Sequence, residues 1–130
     1  MYTIDQTQAM LEELSEQIPD VFFTKLNGGI CLLEEEKLHD ESKPGCPLYI
    51  MGEYHHNRQM GSYINIYYGS FIKVHGGLSE SGFKEKLFDT LRHEFQHHIE
   101  RLAGDRTLEI DDKVRLMRYR GELPRDQSIN

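Results

Sequence analysis

The stretch Leu91-Arg92-His93-Glu94-Phe95-Gln96-His97-His98-Ile99-Glu100 holds two histidines four residues apart, with a glutamate directly after the first. On a helix this H-E-x-x-H spacing stacks both imidazoles on one face, one turn apart, so that their nitrogens converge on a single cation. Glu94 falls about 100° round the helix from His93, beside such a cation rather than on it, where a general base for a water belongs. The chemistry these residue types point to is metal-assisted hydrolysis, with Zn²⁺ the expected ion.

A catalytic zinc takes three protein ligands and keeps its fourth position for water. Glu100 shares the face of His93 but lies about 10 Å further along the axis, which suits a solvated residue or a partner for His97 better than a ligand. Asp105 follows Gly104, where the chain can turn back and bring a short carboxylate to the ion from another direction; its competing role is to cap the next turn. Glu109, Asp111 and Asp112 are later candidates with less geometric reason. His98 falls at the edge of the apolar face and reads as a satisfied, partly buried histidine. Thr90 and Asp89, one turn before His93, are candidates to orient the ligand imidazoles through their second nitrogens.

A helix must position this set, and its pattern is written in the surrounding residues. Leu87, Phe88, Leu91, Phe95, Ile99 and Leu102 gather on the side opposite His93, giving one apolar face for a sheet and one polar face for chemistry. Ser79 is placed to cap the start, with Leu78 and Phe83 at the positions of a hydrophobic staple. Gly104 is expected to end the helix as a left-handed terminator. The predicted helix therefore spans about Ser79 to Ala103.

Upstream, Met10, Leu11, Leu14 and Ile18 recur at helical spacing in a first helix from about Asp5 to Ile18, closed by Pro19. Val21, Phe22, Phe23 and Leu26 suggest a short second helix ended by Asn27-Gly28-Gly29. Ile30 to Leu33 reads as a first strand, and Leu48 to Tyr54 and Ser62 to Tyr68 as a hairpin with a longer loop containing His55 and His56. In the last of these, Ile64, Ile66 and Tyr68 face one side and Tyr63, Asn65 and Tyr67 the other; the tyrosines serve packing more readily than oxyanion binding. Phe71, Ile72 and Val74 fit either a fourth strand or a short helix, and Ile110 to Arg120 a last short helix before a loose end from Gly121.

The chain has 130 residues, enough for one domain with a real core, here residues 1–120, followed by a flexible tail, 121–130. A net charge of -7 disfavours a phosphate-binding surface and hence a nucleic-acid partner. No apolar run suits a bilayer and no secretion signal is legible, so the expectation is a soluble, cytoplasmic protein with no membrane partner. Cys31 and Cys46 fit ordinary reduced thiols.

Two helices, a small sheet around Leu48-Tyr54 and Ser62-Tyr68, the phrase Ile66-Tyr67-Tyr68-Gly69 and then the H-E-x-x-H-H helix together resemble the small bacterial proteins called minimal zincins, a metallopeptidase family. The similarity runs to about Asp112. It implies His93 and His97 as zinc ligands and Glu94 as catalytic base. Matching Asp105 and Leu108 to the family's downstream aspartate and leucine requires a two-residue insertion, because Ile99 to Ala103 prolong the helix.

The expectation is thus an α+β, zincin-like fold: a small, mostly antiparallel or mixed sheet packed on a long H-E-x-x-H helix, with helices before it. Its expected function is zinc-dependent peptide-bond hydrolysis, with Zn²⁺ held by His93, His97 and Asp105 and a peptide or protein as substrate. Glu94 would take a proton from the attacking water and return it to the leaving amine. The rival is a metal-binding or protein-interaction module that keeps the scaffold without useful turnover.

Overall fold

The computed structural model describes residues 1–104 together with Met117 and Gly121. Helix α1, Ile4–Ser15, starts at a capping box in which the Thr3 side chain accepts from the Gln6 backbone and the Gln6 side chain from that of Thr3. It buries Met10, Leu11 and Leu14. The expected second helix is a single 3-10 turn, Asp20–Phe23, which puts Phe22 into the core.

Three strands follow: β1, Gly29–Leu33; β2, Gly52–Asn57; and β3, Gly61–Tyr67. They form a mixed sheet in the order β1-β3-β2, with β1 parallel and β2 antiparallel to β3. Strand β2 is therefore an edge. It lies later in the chain than the sequence pattern suggests, because the apolar run from Leu48 to Ile50 pairs elsewhere. The His39 amide donates to the Leu48 carbonyl and the Ile50 amide to the Lys37 carbonyl, both at 2.8 Å. The strand then continues through His55 and His56, which the sequence pattern places in the loop. A tight turn closes the hairpin: Asn57 Oδ1 accepts from the amides of Gln59 and Met60, and Gly61 takes the positive φ of 70° that a side chain would resist.

The segment after β3 is helix α2, Tyr68–His75, rather than a fourth strand. Its start needs Gly69, since a Cβ there would lie 2.6 Å from the Glu36 amide nitrogen. Helix α3, Glu80–Gly104, is the long helix read from the sequence. The Ser79 hydroxyl accepts from the Gly82 amide at 3.2 Å and caps it as expected. Gly104 ends the described helix without a positive φ, so it is not the left-handed terminator anticipated.

The core lies between α1, the turn at Phe22, one sheet face and the apolar stripe of α3. Ile64, Ile66, Phe71, Phe83, Leu87, Leu91 and Ile99 are fully buried in it, and Phe23 meets Phe95 edge-on at 5.1 Å. Among the described residues this is an α+β arrangement of three α-helices and a small mixed sheet. No helix among them is long and apolar enough to cross a membrane. The helix expected from Ile110 to Arg120 and the tail from Gly121 lie outside the described residues, save for Met117, which packs against the core, and Gly121.

Candidate functional site

With Leu87, Leu91, Phe95, Ile99 and Leu102 all turned into the core, α3 must present His93 and His97 on its other side. The two rings lie 4.9 Å apart, nearly perpendicular at 88°. Neither imidazole donates to or accepts from any described residue, so among these residues their nitrogens are unspent. Desolvation, reinforced by the neighbouring His97 ring and opposed by Glu100, holds His93 below the ordinary histidine pKa. That favours the neutral imidazole, the form that ligates metals.

Glu94 has a different environment. It is 6% exposed, on the side of α3 that meets β2. Burial first, and the nearby Glu53 charge second, push its pKa up to about 7, against a stabilising hydrogen bond from the Tyr54 backbone amide. The register explains that bond. The Tyr67 amide donates to the Met51 carbonyl at 2.9 Å, and in an antiparallel ladder the residues facing the partner alternate. Glu53, His55 and Asn57 therefore turn their backbone groups to β3, while Gly52, Tyr54 and His56 turn theirs to the open edge. The carboxylate of Glu94 stands at that edge.

Side chains from β2 complete the surroundings. Glu53 accepts from Lys37 Nζ at 2.8 and 3.0 Å, from the Tyr67 hydroxyl at 2.6 Å and from His55 Nε2 at 3.2 Å. Burial alone would raise its pKa, but the bonds from Lys37, Tyr67 and His55 more than reverse this and leave it lowered. The same contact raises Lys37, and burial followed by Glu53 raises Tyr67. A cleft of about 700 Å³ runs past these groups, lined by Glu53, Tyr54, His55, His56, His97, Arg101 and Gly104.

A line of hydrogen bonds crosses from this cleft into the interior. Arg101 meets His56 Nε2 at 2.6 Å, and His56 Nδ1 meets the Ser62 hydroxyl at 2.9 Å. Ser62 and Tyr54 hydroxyls are 2.7 Å apart, Tyr54 reaches His98 Nδ1 at 2.6 Å, and His98 Nε2 reaches the Thr24 carbonyl at 2.8 Å. Arg101 can only donate and a carbonyl can only accept, which fixes the direction at the two ends of the line. His56 accepts at Nε2, His98 donates from Nε2, and the Tyr54 hydroxyl donates to Ser62. Burial holds His98 below its ordinary pKa, consistent with a neutral ring.

Of the residues singled out from the sequence, His93, Glu94 and His97 come together around the helix. Asp105, Glu109, Asp111 and Asp112 lie outside the described residues. Among the described residues no group of three or more histidine, cysteine, aspartate or glutamate side chains is arranged to hold a metal ion. Glu100 is exposed and accepts from Gln96 at 2.8 Å. The Thr90 hydroxyl donates to the Lys86 carbonyl at 3.0 Å, which removes its proton from any role toward an imidazole. His98 is the satisfied buried histidine expected, at 0% exposure. Glu53, Tyr54, His56 and Arg101 were missed. The available signal was Arg101 standing four residues beyond His97 on the same face; the other three depended on where β2 begins.

No protein-family model matches the chain, and no curated protein is similar enough to count as a relative. A solved structure of a conserved hypothetical protein from Thermo thermophilus is similar, with a TM-score of 0.65 and 28% identity over 79% of this chain and 99% of that one. The described arrangement of helices and sheet is thus one that a solved protein shares.

Proposed function

We propose that the chain is a zincin-like, zinc-dependent metallopeptidase whose domain spans residues 1–120 and works in the cytoplasm. One observation carries the reading: a buried glutamate with a pKa near neutrality stands between two imidazoles and the outer edge of strand β2, neither of which another described residue or strand engages. A general base works best when its pKa is near the working pH, and this one is tuned by burial next to a candidate ligand pair.

His93 and His97 offer two nitrogen donors of the kind zinc prefers, and Asp105 is the proposed third ligand. When bound, Zn²⁺ supplies Lewis-acid polarisation of the scissile carbonyl and acidification of a water. The open edge of β2 binds an extended peptide through the outward backbone groups of Gly52 and His56. Glu94, held by the Tyr54 amide, takes a proton from the attacking water on its carboxylate and delivers it to the leaving amine. The hydrogen-bonded line through Tyr54 and His98 fixes β2 against α3, so that the base and the peptide-binding edge keep one separation.

The second reading is a zincin scaffold that binds metal or a partner without turnover. Elemental analysis and a peptide-cleavage screen on wild type, His93→Ala and Glu94→Gln separate the two. About one zinc per chain, lost in His93→Ala, with cleavage reduced about 10²-fold or more in Glu94→Gln while zinc is retained, is the expected result. Zinc without any Glu94-dependent cleavage supports the binding module, and a chain that takes up no zinc refutes the peptidase and leaves only a partner-binding scaffold.

A further inference from the structure

The cleft beside His97 holds one permanent cation, Arg101, whose setting differs from that of an ordinary surface arginine. In a chain with 22 acidic against 15 basic residues, no carboxylate among the described residues pairs with it. Lys37, the nearby lysine, is by contrast bound to Glu53 at 2.8 Å. What Arg101 touches is not a carboxylate but His56 Nε2, at 2.6 Å. His56 is in turn oriented by Ser62 at 2.9 Å, and Ser62 belongs to the line that ends on the Thr24 carbonyl. Among the described residues the guanidinium is thus held in place without being neutralised, with most of its N–H donors unspent.

Its place along the site is also defined. Arg101 is one helical turn beyond His97, about 10 Å along the axis from Glu94. His56 is two residues beyond Tyr54 on β2, about 7 Å further along the edge. An extended peptide lying on that edge would bring a group two to three residues from the scissile bond to Arg101. A planar fork of N–H donors matches a carboxylate.

We propose that Arg101, positioned by His56, is the anchor for a substrate carboxylate, so that the cleft selects peptides carrying one two to three residues from the bond cleaved. This rests on the peptidase reading for the word substrate, whereas the carboxylate site itself does not. Either a chain-terminal carboxylate or an acidic side chain offers that chemistry.

The test is an NMR titration of the ¹⁵N-labelled full chain, following the Arg101 Nε–Hε resonance. The probes are N-acetyl-glycyl-glycine, its carboxamide, and N-acetyl-aspartate methylamide with its side-chain carboxylate. One or both carboxylates should shift the resonance and the carboxamide should not; the tighter acid identifies the source. Affinity should fall about tenfold or more in Arg101→Gln and less in Arg101→Lys, which keeps the charge but loses the fork. His56→Phe should weaken binding and His56→Gln, which restores an acceptor, should recover it. No carboxylate-dependent shift, an equal response to the carboxamide, or unchanged affinity in Arg101→Gln overturns the proposal. Because the titration needs no turnover, carboxylate binding without cleavage would leave the anchor standing and remove the peptidase reading. Cleavage indifferent to Arg101→Gln would do the reverse.

Discussion

Glu94 is a residue whose burial opposes the fold while it suits the chemistry. Its carboxyl is 6% exposed and titrates near 7, well above the ordinary glutamate value. In the metal-free protein the folded state therefore holds the Glu94 proton more tightly than the unfolded chain does. The associated stability is fully present below the unfolded value of 4.5 and is lost as pH rises through about 7. At pH 8 the loss approaches on the order of 3 kcal/mol, an upper figure given the freedom of such sites to relax. Glu94→Gln keeps the shape and removes the ionisation. Apo Glu94→Gln should match wild type near pH 4.5 and exceed it progressively toward pH 8 in thermal melts. A stability gap that is flat with pH would mean that the carboxylate is solvated and not held as a neutral base.

At the scale of elements, the pairing of β2 with α3 decides whether Glu94 faces the edge of the sheet. The hydrogen bonds between Arg101 and Thr24 fasten the two, with the Tyr54 hydroxyl as the middle link at 2.7 Å from Ser62 and 2.6 Å from His98. Tyr54→Phe removes that link and leaves a fully buried imidazole nitrogen without its hydrogen-bond partner. The expected cost is about 1–3 kcal/mol in urea denaturation, together with reduced peptide cleavage at unchanged zinc content. An unaltered denaturation midpoint would show that the line does not fasten β2. The helix half of this site was legible in the sequence, because a period of 3.6 residues is local and His93, Glu94, His97 and the apolar stripe all report it. The strand half was not. Leu48-Tyr49-Ile50 carries the apolar signal of a strand yet pairs with Lys37 to His39, a contact made across a loop that no local pattern encodes. That shift left His55 and His56 reading as loop residues, while Glu53 and Tyr54, already read as strand, gave no local sign of facing the helix. His98 was legible as a buried histidine from its place on the wheel, but its partners Thr24 and Tyr54 are distant in sequence and only the fold brings them near.

For the whole molecule, the decisive question is what zinc would tie together. His93 and His97 lie on one helix that is already packed along its length, so an ion held by these two alone adds little to the stability of the rest. A third ligand beyond Gly104 would instead join the segment after α3 to the domain, and binding energy would then appear as folding energy. Zinc should accordingly raise the melting temperature of the chelator-treated protein, by an amount equivalent to about 3 kcal/mol at a free concentration a hundred times the dissociation constant. Chelation should reverse the rise, and His97→Ala should abolish it. Asp105→Ala discriminates further: if that carboxylate is the third ligand, the zinc-dependent rise shrinks as sharply as for a histidine variant. If the rise persists undiminished in Asp105→Ala, the ligand is another residue, with Glu109, Asp111 and Asp112 next in order. A melting temperature indifferent to zinc in the wild-type chain would leave the two imidazoles without a metal to hold, and the peptidase mechanism with them.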